Sequence, residues 1–206
     1  MSKKQYTFYF DSSNCSGCKA CQIACKDKNN LPLSVLWRRV YEVGSGGWTQ
    51  VDGAWINDIR TYNMSVACNH CEEPVCVDVC PTKAMTKDKN GIVTIDEKRC
   101  IGCKYCEWVC PYGAPQFNES TGLMTKCDFC IDYISEGKNP SCVDACPMRV
   151  LEFGELKELK KKHGVESEVF PFPKEHYTKP AIIIKKHSKV IEVDDTSASI
   201  FNEEEV

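Results

Sequence analysis

The chain has 206 residues, a formal net charge of -3, 42% apolar residues and 16 cysteines. The apolar share excludes a disordered chain, and a mildly acidic surface without a basic stripe excludes a nucleic-acid binder. No stretch approaches the roughly 20 apolar residues that cross a bilayer; the strongest aliphatic run is Ala181 to Ile184.

In chain order, the N-terminal MSKKQYTFYFD has neither an apolar leader core nor a small-residue cleavage site, so any membrane role is expected to depend on a partner. Tyr6 to Asp11 reads as a strand closed by a turn-forming Asp. A first cysteine quartet follows, Cys15, Cys18, Cys21 and Cys25. Trp37 to Val43 and Trp55 to Met64 are expected to be strands joined by a turn at Gly44-Ser45-Gly46-Gly47, a hairpin that covers the cysteines or docks a partner. The second quartet, Cys68, Cys71, Cys76 and Cys80, ends in Pro81, and Ala84-Met85 then offers another short segment. Ile92 to Asp96 repeats the strand-then-Asp pattern before the third quartet, Cys100, Cys103, Cys106 and Cys110, followed by Pro111. The fourth, Cys127, Cys130, Cys142 and Cys146, ends in Pro147 and leads into Val150 to Phe153. Glu155 to His163 has helical spacing, a lysine-rich end suited to the dipole, and Gly164 as a cap. Phe170-Pro-Phe-Pro173 cannot be regular structure, and the last dozen residues read as a polar, acidic tail that wraps a partner or stays mobile.

The quartets use every cysteine. Three cysteines at intervals of three put their thiolates on one tight loop, within reach of three irons of one cubane. A fourth, followed by proline, is already leaving that loop; in two-cluster ferredoxins it ligates the other cluster. Structural zinc sites use two Cys pairs with a longer spacer, a description that only quartet four could meet. Cysteines three apart in short loops are poorly placed to pair as disulfides. Four [4Fe–4S] clusters are therefore expected. Quartet one has Lys26 where the others have proline, read as a local change of chain direction. His70, between Cys68 and Cys71, is expected to be structural, since its quartet already has four sulfurs. Trp108, Tyr105 and Tyr112 flank quartet three and are expected to shield a cluster from water. No phosphate loop, nucleophile elbow or zinc-hydrolase motif is present, so no catalytic site of its own is expected. Strand–loop–helix units taken in pairs predict an α+β fold of two bacterial-ferredoxin-like halves.

The stretches Phe10-Asp-Ser-Ser-Asn-Cys15-Ser-Gly-Cys18, Cys68-Asn-His-Cys71, Cys100-Ile-Gly-Cys103-Lys-Tyr-Cys106, Cys110-Pro-Tyr-Gly-Ala-Pro-Gln116, Met124-Thr-Lys-Cys127-Asp128, Leu151-Glu-Phe-Gly154 and Lys162-His-Gly164 carry a resemblance. With them the chain resembles, over nearly its whole length, the iron–sulfur subunits of anaerobic dimethyl sulfoxide reductases. The resemblance implies interleaved halves: residues 1–30 with 120–154, and residues 67–119. A mostly strand insertion at 31–66 and a C-terminal helix and docking tail at 155–206 complete the expected division. It implies ligand sets of Cys15, Cys18, Cys21 and Cys146; Cys68, Cys71, Cys76 and Cys110; Cys100, Cys103, Cys106 and Cys80; and Cys127, Cys130, Cys142 and Cys25. The quartet-three cluster would lie nearest quinol and the quartet-one cluster nearest molybdenum. Implied partners are a molybdopterin catalytic subunit and an integral membrane anchor that oxidises menaquinol, in a heterotrimer without nucleic acid. The implied place is peripheral on the cell membrane, at the periplasmic face by co-export with the catalytic subunit, or alternatively at the cytoplasmic face. Related nitrate reductase subunits carry tryptophan at the position of Cys103 and hold a three-iron cluster there. The alternatives are the same relay role in a polysulfide, tetrathionate or arsenate reductase, and a free soluble ferredoxin carrier.

Overall fold

Residues 4–165, 169–173, 178–190 and 197–206 are described by the computed structural model. Strand β1 (Tyr6–Asp11) is the middle strand of a sheet and is buried on both faces, Phe8 and Phe10 in the main core and Tyr9 against Leu156 and Leu159. It pairs antiparallel with β10 (Leu151–Glu155) and parallel with β11 (Ile182–Lys185). The Asp11 carboxylate accepts from the Ser13 N–H at 2.9 Å and faces Lys185 Nζ at 3.0 Å, so the turn into quartet one is capped and tied to β11. Helix α6 (Leu156–His163) lays Leu156 and Leu159, three residues apart, on Tyr9, Ala181 and Ile183. It stops at Gly164, whose φ of 95° favours glycine. The aliphatic run at 181–184 is thus a core strand, and the described part of the chain after residue 155 belongs to the fold rather than to an appended tail.

The remaining elements are short, and the cysteines that lie in regular structure are on α-helices. Helix α1 (Ala20–Lys28) is followed by a sheet of β2 (Arg39–Ser45) and β5 (Arg60–Val66), with the hairpin β3 (Trp48–Val51) and β4 (Ala54–Asn57) between them. Then come α2 (Val75–Asp78), the antiparallel pair β6 (Met85–Lys87) and β7 (Val93–Ile95), and α3 (Tyr105–Trp108). The pair β8 (Gln116–Asn118) and β9 (Leu123–Thr125), then α4 (Ile131–Ser135) and α5 (Ser141–Asp144), lead into β10. Helix α1 packs on α5, and α2 on α3. Beneath the main sheet Phe8, Phe129 and Phe153 pack ring against ring, with centroids 4.7 to 6.0 Å apart.

Two expectations are corrected. The Gly44–Gly47 stretch is not the turn of the insertion: β2 runs through Gly44 and Ser45, which pair with Thr61 and Arg60. The reversal lies at Asp52-Gly53, with φ of 49° and 80°, a two-residue turn whose twist suits a hairpin. The expected Trp55–Met64 strand is accordingly broken, because Gly47 N–H donates to Asp58 Oδ1 at 2.8 Å and pinches the ribbon where β3–β4 departs from β2–β5. The acidic tail, in its described part, folds back on the chain's own β2. Strand β12 (Ser199–Ile200) pairs with Gly44 and Val43. The Phe201 ring lies so close to Gly44 that a Cβ there would sit 2.3 Å from it.

Asn202 fixes this return. Its Oδ1 accepts from the Glu42 N–H at 2.8 Å and its Nδ2 donates to the Val40 carbonyl at 2.9 Å. Asn202→Ala removes both partners, so a loss of about 1–3 kcal/mol is expected in chemical denaturation of the loaded protein. An unchanged midpoint would show that the tail contributes nothing to the fold.

Candidate iron–sulfur sites

Each quartet begins with Cys-x2-Cys, and in all four the residue before the second cysteine has a positive φ: Gly17 at 69°, His70 at 43°, Gly102 at 66° and Phe129 at 64°. This left-handed residue reverses the loop so that consecutive thiols face one side. At Gly102 a side chain is excluded outright, since a Cβ would stand 2.3 Å from the Gly122 carbonyl oxygen. At His70 and Phe129 the strained residues are aromatic, and they stack on each other, with rings 3.8 Å apart at 19°. After the last cysteine of quartets two, three and four the chain turns at Lys83, Gly113 and Arg149, all with positive φ. Quartet one needs no proline because α1 continues past Cys25 to Lys28.

The turns bring the thiols into four groups, each drawing on distant parts of the sequence. Cys15, Cys18, Cys21 and Cys146 line one small apolar space with Phe10, Val40 and Leu151. Cys80, Cys100, Cys103 and Cys106 line a second, with Met85, Ile95 and Met124. Cys76 lies within electrostatic reach of Cys68, Cys110 and Cys71, and Cys25 of Cys142 and Cys130, with Cys127 beside Cys25 and Cys142. Burial pushes the thiols of Cys25 and Cys71 up to about 12 and those of Cys15 and Cys106 to about 11. As free thiols they are neutral; as ligands they must lose protons to something strongly positive.

Helices α1 and α2 tie neighbouring groups together. Cys21 and Cys25, one turn apart on α1, belong to the first group and to the Cys127 group. Cys127 in turn feels the charge of Cys68. Cys76 lies on α2 and Cys80 two residues past it, and they face different groups. The two end groups each present one exposed thiol, Cys18 and Cys103.

The aromatic residues around quartet three depart in part from expectation. Trp108 is 76% exposed and shields nothing in this chain by itself, whereas Tyr105, half exposed, lines the space of the Cys103 group as expected. Tyr112 is buried, but it packs edge-on against Phe172 and shares a hydrogen bond with Thr178. His70 is fully buried, and its Nδ1 accepts from the Val93 N–H at 3.0 Å; burial, with Lys126 and Lys87 nearby, pushes its pKa well below the usual histidine range. Backbone donors reach sulfur, Met85 N–H to Cys80 Sγ at 3.4 Å and Ala114 N–H to Cys110 Sγ at 3.5 Å.

The donors fit iron–sulfur cubanes. The sixteen cysteines are soft donors that the fold gathers from distant segments, and backbone N–H groups are aimed at two of the sulfurs. Among the described residues, no His, Cys, Asp or Glu side chains converge in threes as a single ion requires. No helix among them is long and apolar enough to cross a membrane. Residues 59–156 match the 4Fe-4S dicluster domain family, and residues 12–28 match the 4Fe-4S binding domain family. The fold and its sites thus define an iron–sulfur protein of the ferredoxin-like α+β class. The chain is 50% identical over 202 residues, 98% of either protein, to the B subunit of the anaerobic dimethyl sulfoxide reductase of Escherichia coli K12. It is 46% identical over 204 residues to the corresponding B subunit of Haemophilus influenzae, covering 98% of this chain and 100% of the relative. A thiosulfate reductase electron transfer subunit of Salmonella typhi is 38% identical over 172 residues, 81% of this chain and 84% of that one. The chain belongs to the family of anaerobic dimethyl sulfoxide reductase B subunits, the iron–sulfur subunits of those enzymes.

Proposed function

We propose that the chain holds four [4Fe–4S] clusters in a row and relays electrons from a menaquinol-oxidising membrane anchor to a molybdopterin subunit that reduces dimethyl sulfoxide or related S- or N-oxides. Cys15, Cys18, Cys21 and Cys146 hold the first cluster, and Cys25, Cys127, Cys130 and Cys142 the next. Cys68, Cys71, Cys76 and Cys110 hold the third, and Cys80, Cys100, Cys103 and Cys106 the last. Two interleaved ferredoxin-like halves follow from this exchange of cysteines between quartets one and four and between two and three. The observation that carries the reading is that Cys146 joins the Cys15 group and Cys80 the Cys103 group, as an exchange of last cysteines between quartets requires, with Cys18 and Cys103 the exposed cysteines of the two. When bound, each cluster takes up and gives back one electron.

The protein's own share is placement and insulation. The inner groups are walled by buried side chains, Phe129, Met64 and Val66 among them, which keep water from the middle of the row. The N–H groups at Cys80 and Cys110 stabilise added negative charge on sulfur. At the Cys103 end the exposed Ile101, Tyr105 and Trp108 offer an apolar rim for the membrane anchor, and a heterotrimer at the periplasmic face of the membrane is the assembly proposed. Greater likeness to the dimethyl sulfoxide reductase relatives than to the thiosulfate reductase subunit favours the S- and N-oxide assignment.

Anaerobic purification from detergent-solubilised membranes tests this. The expected preparation carries the chain with two larger partners and molybdenum, with about sixteen irons and as many acid-labile sulfides per copy of the chain. A chain that elutes alone at 23.3 kDa, or carries stoichiometric zinc, overturns the proposal.

A further inference from the structure

Arg38 is 2% exposed, and its guanidinium has almost nothing to balance it. Nη1 donates to Ser65 Oγ at 3.0 Å, while Nε and Nη2 reach no hydrogen-bond partner among the described residues. No carboxylate is paired with it there; one face of the guanidinium lies over the Phe8 ring, 4.5 Å from its centroid. A buried cation left in this state is costly and is kept where some other charge completes it. Its electrostatic neighbours are cysteines, Cys142, Cys21, Cys127 and Cys25. Cys21 belongs to the first thiol group and the other three to the second, so the charge stands between two groups. Ser65 strengthens that position, because the hydroxyl that receives Arg38 also sits 3.3 Å from Cys21 Sγ.

Resting on the four-cluster reading above, we propose that Arg38 is a positioning residue shared by the two clusters of quartets one and four, its buried charge balancing both and raising the potential of each. A cubane held by four thiolates is a net anion that gains one more negative charge on reduction. A fixed cation beside it therefore favours the reduced form. The main electrostatic neighbours of Arg38 lie in the first and second groups; the cation near Cys110 of the third is Arg39, which donates to the carbonyls of Tyr112 and Gly113. Buried Lys126, near Cys76, is already satisfied by the carbonyls of Val93 and Cys127. Lys28, the other cation near Cys130, is paired with Asp132 at 2.6 Å.

The experiment is a potentiometric titration followed by electron paramagnetic resonance on the anaerobically purified full chain, as wild type, Arg38→Met and Arg38→Lys, with iron and sulfide measured in each. In Arg38→Met two of the four one-electron steps are expected to move to lower potential by at least a tenfold change in the reduced-to-oxidised ratio, about 59 mV. The other two should stay in place, and Arg38→Lys should keep all four near wild type. A loaded Arg38→Met protein with no step moved, or with all four moved alike, overturns the proposal. So does an Arg38→Lys protein shifted as far as Arg38→Met. Where Arg38→Met fails to load, Arg38→Lys decides: loading with wild-type potentials supports the charge role, and failure to load overturns it. A wild-type chain without iron and sulfide instead sinks the cluster reading itself.

Discussion

Stripping iron and sulfide from the anaerobically purified chain with a strong chelator is expected to abolish its cooperative unfolding transition. The main hydrophobic core is built partly from cysteines, with Cys21, Cys68, Cys127, Cys142 and Cys146 buried among Phe8, Phe129, Met64 and Val150. The helices that carry the ligands are single turns in α2, α3 and α5, far too short to persist alone. What holds them, on the proposed ligand sets, is the crossing of ligands between distant segments, Cys21 with Cys146 and Cys68 with Cys110. Structural metal in small domains contributes about 10–16 kcal/mol, as much as a whole domain's net stability. Removal also leaves Arg38 buried with no counter-charge. Any residual stability should carry a pH signature. The buried thiols are raised from the unfolded value of about 8.5 to about 11 or 12. The unfolded chain therefore releases protons first, and residual stability is present below about pH 8.5 and lost as pH rises from there toward the folded values. Denaturant titration with near-ultraviolet circular dichroism reads both effects. A sharp transition at the holo-protein midpoint after complete iron removal would contradict this account.

The cysteine spacing makes the iron–sulfur class legible because a cubane fixes both donor type and loop length, and those constraints are local. The strand before quartet one and the helix of 156–163 are readable for the same reason, each having its own period and stop signal. What escapes a reading of the sequence is set by packing at long range. Gly44 reads as a turn residue, yet its missing side chain makes room for Phe201, far along the chain. The true turn, Asp52-Gly53, is a strong hairpin signal that the glycine-rich stretch before it outweighs. Ile182–Lys185 is too short to read as a strand by itself, and only β1 gives it a neighbour. Arg38 looks like one of two strand arginines. Its neighbour Arg39 reaches carbonyls of Tyr112 and Gly113, whereas Arg38 turns inward among thiols, a difference that the Arg-Arg pair does not announce. Trp108 departs in the opposite sense, since aromatic residues near cysteines suggest a lid and this one faces outward.

Replacing Cys103 by alanine is expected to convert one centre to a three-iron cluster and stop turnover with quinol, while the fold survives. Cys103 is exposed, lies in the loop before α3 and belongs to no core cluster, so its removal opens no cavity; a stability change within about 0.5 kcal/mol is expected. Cys80, Cys100 and Cys106 remain around the same space and hold three corners, leaving one iron without a protein sulfur and open to water. The step at the end of the row is thereby altered, and electrons entering from the anchor have no other exposed thiol group nearby, since the second one, at Cys18, belongs to the opposite end of the row. Cys142→Ala supplies the contrast. It removes a fully buried sulfur beside Arg38 from the packed interior, so the cluster and several kcal/mol of stability should be lost together. Electron paramagnetic resonance of the oxidised protein, with quinol-dependent turnover of the assembled complex, separates the two cases. An unchanged spectrum and normal turnover in Cys103→Ala would remove Cys103 from the ligand set and, with it, the reason for placing the quinol end of the row there.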